Sequence, residues 1–336
     1  MSPSATAVER VLMSEISGDA ATGVKFEKAL SPATARAGRR RGLRGPNGEF
    51  RATPLLFMAV PLVLLITLTY YPVANMIWYS FTDWDGIALD KNFIGLKNYI
   101  SLFTDPRYFQ VFFVSLYYFA ASFVQMALAL YFATVLSFST RFKNLFKGII
   151  FFPYLLNGVA VGLMFLFFFQ PNGTLDATLS GLGFGPSSSH PLWLGNPGWV
   201  NVSIAATSVW RYTGLNFVLF LGAIQSIPDE VYEAADLDGA NSWHKFRFLI
   251  VPGIKRIISL SFILAIAGSL SVFELPYIMT GGANGSSTFV ITTVQQAFVF
   301  QRVGFASAMA VVLLIIVLLV TIVQRRLVPD DDVSLT

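Results

Sequence analysis

Apolar residues in this chain come in long unbroken runs separated by shorter polar connections. They do not follow the alternating or one-face pattern of a water-facing fold. Runs long enough to cross a bilayer as helices, about 20 residues each, lie near 54–80, 108–138, 148–170, 201–226, 257–279 and 304–323. The pattern predicts an all-α polytopic membrane protein with six transmembrane helices. The first run holds Pro61 and Pro72, which membrane helices tolerate better than soluble ones. The transmembrane domain is expected over 51–328, between an N-terminal tail, 1–50, and a C-terminal tail, 329–336.

Composition agrees and narrows the chemistry. Hydrophobic residues are 54% and charged residues 12%, where a soluble domain carries about 25% charge. Cysteine is absent, which removes disulfides, thiolate catalysis and thiolate metal sites together. His190 and His244 are far apart in sequence, so no metal site is expected. No GxxxxGK[ST], HExxH or GxSxG pattern occurs. The chain is therefore expected to be a non-catalytic subunit that binds no cofactor of its own.

Lysine and arginine orient the spans. Arg36, Arg39, Arg40, Arg41, Arg44 and Arg51 precede the first run. Arg141, Lys143 and Lys147 follow the second, Lys245, Arg247, Lys255 and Arg256 follow the fourth, and Arg325 and Arg326 follow the last. The alternate connections hold only Lys91, Lys97, Arg107 and Arg302. Both termini and the connection 228–252 are thus expected in the cytoplasm of a multi-pass plasma-membrane protein. The arginine-rich tail lacks apolar periodicity and reads as disordered. Placed just before a span, it fixes topology and touches anionic lipid rather than nucleic acid. It is not a cleaved signal peptide, because a full-length span follows with no suitable small-residue cleavage site.

The connection 228–252, PDEVYEAADLDGANSWHKFRFLIVP, is the most acidic cluster in the chain and lies between two long apolar runs. Pro228, Asp229 and Glu230 make a helix start, and Gly239 a helix stop. A short, polar, well-capped helix between spans has no packing reason to be there and reads as a docking element. Glu233-Ala234-Ala235, Asp238-Gly239-Ala240 and Pro252 resemble the EAA motif of binding-protein-dependent ABC importer permeases. In that family the motif forms a cytoplasmic coupling helix seated in a cleft of the ATPase subunit. The resemblance covers about 54–328 and implies the type I ABC importer permease fold. It also implies the partners: two copies of a P-loop ATPase that hold ATP and Mg, a second homologous permease, and an extracytoplasmic solute-binding protein. The host would be bacterial or archaeal. The arginine-rich extension resembles the first of two paired sugar permeases and favours a heterodimer.

Two outer connections carry further signals. FTDWDG, FIGLKNY and DP within 81–107 resemble carbohydrate-importer permeases of the maltose type, and the segment is expected to be an ordered loop with one short helix. The stretch 171–200 is rich in proline and glycine and lacks lysine and arginine. Its Trp193 and Trp199 either anchor the membrane interface or, as in the family, help meet the loaded binding protein.

Charges inside spans need an account. Arg211 lies about fifteen residues, or roughly 22 Å of helix, from the cytoplasmic end of the fourth span. Glu274 lies at similar depth in the fifth, so the two either pair or both line a water-filled path. Trp210, Tyr212 and Asn216 sit near Arg211, and Ser269, Ser271 and Tyr277 near Glu274. Sugars need this mixture of hydrogen-bonding groups and rings. In maltose-type permeases the sugar site lies mid-membrane on the helices flanking the EAA loop. Matching from the motif places the contact positions at Ser208, Arg211, Tyr212, Leu215 and Ser269, and Asn216, Glu274 and Tyr277 join them by position. Leu215 stands where the maltose pattern has an aromatic, and Ser269 and Val272 where it has asparagines, so maltose does not transfer as the substrate. Two other classes stay open at this point. One is an ATP-independent secondary transporter or channel that uses the Arg/Glu pair. The other is a membrane enzyme acting on lipid-linked sugar.

Overall fold

The computed structural model describes residues 52–138 and 142–327. The expectations placed on the tails 1–50 and 329–336, on the domain bounds 51 and 328, on Arg51 and Arg141 and on the Arg325 side chain lie outside the described residues. Among the described residues every named element is helical, and the only sheet-like feature is an isolated antiparallel bridge between Thr82 and Phe93. The all-α expectation holds.

Two compact units divide at Leu65. The described part of the first is the helix Ala52–Leu65, which carries Pro61 inside it. In the second, a π turn at Ile66–Tyr70 precedes Pro72, whose missing N–H interrupts the helical ladder.

Four helical stretches are long and apolar enough to cross a membrane: Phe57–Tyr79, Pro106–Ser137, Lys255–Thr280 and Val303–Gln324. The run expected as a third straight span is instead two helices, Lys143–Leu155 and Gly158–Phe168, bent by 94°. Pro153 and the extended residue Leu156 break the first, and Asn157 caps the second by accepting from the Val159 N–H at 2.8 Å. Counted as one span, the pair makes a fifth. The helix Pro197–Ile224 has the length, 28 residues, but not the apolarity. Asn201, Ser203, Thr207, Thr213 and Asn216 are all buried on it. With these polar residues turned inward the helix falls short in mean apolarity, and so the sequence count of six is not reproduced by hydropathy alone.

This helix organises the second unit. Its Phe217, Phe220, Leu221 and Ile224 pack with Ala129, Ala133 and Leu136 of Phe112–Ser137 and with Ile250 and Ile254. Gly214 faces the backbone of Ile150 and Phe151 with no room for a Cβ, so the helix Lys143–Leu155 crosses it closely there. A second cluster joins Tyr118, Val161, Val200, Ile204, Leu275 and Met279.

The outer connections are ordered by hydrogen bonds. Asn98 donates to the carbonyls of Ser80 and Thr82 at 2.9 Å each, and the Gly304 N–H donates to Trp84 O at 2.8 Å. Two short helices, Lys97–Thr104 and Pro106–Gln110, form where one was expected. In 171–200 the Asp176 carboxylate is buried and accepts from Trp193 Nε1 and the Asn172 N–H, both at 2.8 Å, with His190 Nδ1 at 3.2 Å. Burial pushes this carboxyl up, but the hydrogen bonds from Trp193, Asn172 and His190 outweigh it and hold it below the ordinary range. Trp193 is thus a structural tie within its own loop, and its ring packs edge-on to Trp199 at 5.3 Å.

Candidate functional site

Two places gather the residues singled out in the sequence. The first is the connection 228–252. A helix runs Asp229–Leu237, with Pro228 one position earlier than expected, at the N-cap rather than in the first turn. Asp229 and Glu230 occupy the first turn, where the helix dipole favours acids. Gly239 has φ +74, the left-handed conformation that closes a helix. The Ala240 N–H bonds to Ala235 O at 2.9 Å and the Gly239 N–H to Asp236 O at 3.1 Å. These are the paired bonds of a Schellman stop.

The helix has two faces. Tyr232 packs on the core cluster that includes Ile224, Ile250 and Ile254. Glu233, Ala234, Asp238 and Gly239 are exposed, Leu237 is 91% exposed, and Ala235 and Ala240 are half-buried. Lys245 ties back to Asp236 at 2.5 Å, and Asn241 caps the next turn through the His244 N–H at 2.9 Å. Pro252 is exposed and is the second residue of the single turn Val251–Gly253. The inner face is therefore fixed to the transmembrane core, and the outer face presents the acidic and apolar residues of the motif.

The second place is a cavity of about 540 Å³ between Phe112–Ser137, Pro197–Ile224 and Lys255–Leu270. Ser208, Tyr212, Leu215, Asn216, Ser269 and Glu274 all line it. Arg211 is not a lining residue. It lies behind Glu274, with Nη1 2.6 Å from Glu274 Oε2 and 3.3 Å from the Tyr212 hydroxyl. Of the two arrangements left open, the structure combines parts of both: the charges pair, and Glu274 alone faces the cavity. Tyr277 does not reach it. That ring stacks on Phe273 at 4.8 Å and is 45% exposed elsewhere. The helix breaks at Ser271–Phe273 and restarts at Glu274, which turns Tyr277 away.

The helix Phe112–Ser137 contributes a wall that the sequence reading missed. Gln125 donates to Tyr212 O at 3.3 Å, and Ser122 and Tyr118 line the cavity beside it. A glutamine inside an apolar run carries the same desolvation signal as Arg211 and was the available clue. The Tyr118 hydroxyl and Ser261 Oγ, both on cavity residues, have no hydrogen-bond partner among the described residues.

Glu274 also explains the bend in the third segment. Gly158, first residue after that bend, lies directly against the Glu274 carboxylate, and Gly162 lies against Ile278. Two glycines four apart let the side chains of Glu274 and Ile278 lie directly on the helix Gly158–Phe168. A Cβ at Gly158 would meet only the movable end of Glu274. Gly158→Ala is therefore expected to leave the complex assembled but displace the carboxylate from Arg211. The lost charge-assisted bond is worth about 1.5–3 kcal/mol, read as a lower thermal midpoint of the purified complex. An unchanged midpoint would contradict the contact.

Comparison with known proteins places this geometry. A family model described as "Binding-protein-dependent transport system inner membrane component" matches residues 125–330. A probable ABC transporter permease protein of Bacillus subtilis is 33% identical over 265 residues, covering 77% of this chain and 90% of the relative. The multiple sugar-binding transport system permease of Streptococcus mutans is 33% identical, covering 76% of this chain and 88% of the relative. The lactose transport system permease of Rhizobium radiobacter is 31% identical, covering 70% and 79%. Among solved structures, a bacterial ABC transporter involved in import of the acidic polysaccharide alginate gives a TM-score of 0.70 at 22% identity, covering 83% of this chain and 97% of that one. At that identity the likeness is one of fold, and the fold is that of an ABC importer permease.

Proposed function

The chain belongs to the binding-protein-dependent transport system inner membrane components, and on that premise we propose that it forms the translocation path of an ATP-driven importer for carbohydrate. The family makes it a multi-pass membrane transport permease. The sugar-transport names of its relatives, and the hydroxyl and carboxamide groups set among apolar residues in the cavity wall, support carbohydrate as the cargo.

One observation carries the reading. The loop 228–252 joins the two helices that supply the floor of the cavity. Ser208, Tyr212, Leu215 and Asn216 come from the helix before it, and Ser261 and Ser269 from the helix after it. Tyr232 packs the loop helix on a cluster that includes Ile224, the last residue of the helix before the loop, Ile254, the residue just before the helix after it, and Ile250 of the loop itself. A push on Asp229–Leu237 is therefore passed to both cavity walls as a rigid body. Substrate arrives on an extracytoplasmic binding protein. Two P-loop ATPase subunits, which hold ATP and Mg, grip the exposed faces of Glu233, Ala234 and Asp238 and of the matching helix of a second, different permease. Closure of the ATPase pair on ATP turns the cavity outward, and hydrolysis returns it. Neither step needs a catalytic group on this chain. The exposed motif face has no role in an ion-coupled carrier built on Arg211 and Glu274, and the family match covers the whole loop.

Co-purification from a host membrane tests the partnership. A P-loop ATPase should be retained with the chain in mild detergent, and a chain recovered without one would sink the proposal. Orientation has its own test. The chain lacks cysteine, and Ser188 and Ser242 are both exposed. An impermeant thiol reagent on intact cells should label Ser188→Cys and not Ser242→Cys. Labelling at position 242 would reverse the assignment of both termini to the cytoplasm.

A further inference from the structure

The sign of charge that the cavity presents is a separate matter from its being a sugar site. Fold does not set it, since a chain of like fold belongs to an importer of an acidic polysaccharide. Side chains set it. Among the described residues no lysine, arginine or histidine lines the cavity, and the one ionisable carboxyl that does is Glu274. Its partner is placed asymmetrically. The Arg211 side chain is 12% exposed against 42% for Glu274. Arg211 Nη1 already serves both Glu274 and the Tyr212 hydroxyl. An incoming group therefore meets the carboxylate first and finds the guanidinium engaged behind it. The other polar groups of the wall are uncharged hydroxyls and carboxamides, among them Ser208, Ser269, Asn216, Gln125, Tyr118 and Tyr212, and the rest of the wall is apolar. These groups donate to and accept from uncharged hydroxyls equally well.

We propose that Glu274 makes this chain's side of the path selective against anions, so that the cargo is an uncharged polyhydroxylated sugar and uronic acids are excluded. The inference rests on the carbohydrate reading and adds the charge class. Glu274 repels a carboxylate at short range in a partly desolvated site, where the interaction is weakly screened. It also accepts hydroxyl hydrogen bonds strengthened by its charge. Arg211 holds it in place at 2.6 Å.

The test is direct binding to the purified complex of this chain with its ATPase and second permease, without binding protein, so that upstream selection plays no part. The probes are gluco-, manno- and galacto-configured trisaccharides, each paired with its uronic-acid counterpart, in titration calorimetry. The neutral member of at least one pair should bind about tenfold or more tighter than its acidic counterpart. Glu274→Gln should erase most of that difference. Should this single variant fail to assemble, the double variant Arg211→Met with Glu274→Gln leaves no charge unpaired and should show the same loss of discrimination. Equal or tighter binding of the acid by the unaltered complex overturns the charge filter and leaves the carbohydrate reading standing. Discrimination that persists in the variants overturns the role of Glu274. Binding of neither member of any pair overturns both readings.

Discussion

Glu274→Ala is expected to weaken the assembled complex more than Arg211→Ala, and the double variant to recover most of the loss. The asymmetry follows from exposure. Removing Glu274 strands a guanidinium that is 12% exposed and whose Nε already lacks a partner among the described residues. Leaving a buried charge unpaired costs roughly 3–5 kcal/mol. Removing Arg211 leaves a carboxylate that is 42% exposed and opens on the cavity, where water can solvate it, so about 1 kcal/mol is lost. Glu274→Ala also empties the space against Gly158. Subunit retention in detergent and the thermal midpoint should rank unaltered chain, double variant, Arg211→Ala, Glu274→Ala. Uptake should fall in all three variants, because each either removes the Glu274 carboxylate from the cavity wall or frees it from the guanidinium that holds it. A double variant less stable than either single one would mean that the two charges are not a coupled pair.

The second large effect is at the docking helix. Gly239→Val should abolish transport while leaving the chain expressed and inserted. At φ +74 a β-branched residue is strained by about 1–3 kcal/mol. Relief of that strain breaks the bonds from Ala240 to Ala235 and from Gly239 to Asp236. Nothing lies within 4 Å of the missing Cβ, so the penalty is one of backbone conformation and not of crowding. Gly239→Asn, which accepts left-handed geometry, should therefore keep most of the uptake. Glu233→Lys reverses an exposed charge without touching the backbone, and should release the ATPase while preserving the helix. Uptake rates and ATPase retained on purification check all three substitutions. Full uptake in Gly239→Val and in Glu233→Lys together would remove the loop from the coupling path.

These two sites were legible in the sequence to different degrees, for physical reasons. The docking helix is local. Its start at Asp229 and its stop at Gly239 are dictated by dipole and backbone sterics within a dozen residues, and only the place of Pro228 shifted by one. The Arg211–Glu274 pair was legible as two alternatives, because a charge at membrane depth must be either paired or hydrated. Which groups face the cavity was not legible. That depends on where helices break, and the break at Ser271–Phe273 that turns Tyr277 away is settled by packing of Leu275 and Met279 against Val161 and Ile204. The bend at Leu156 was equally hidden. Pro153 and Asn157 permit it, but the Gly158 contact with Glu274, distant in sequence, is what it accommodates. The run 201–226 was legible as a span, and its polar residues Asn201, Ser203, Thr207, Thr213 and Asn216 lie buried on Pro197–Ile224.

The central claim is that sugar passes through this chain at the expense of ATP bound by partners on the loop 228–252. The most direct measurement is uptake of labelled neutral oligosaccharides into proteoliposomes that hold the purified complex, with binding protein supplied outside. ATP enclosed in the vesicles should drive accumulation above the external concentration, and Gly239→Val should abolish it. Accumulation without ATP that follows an imposed proton or sodium gradient, and persists in Gly239→Val, would contradict the account.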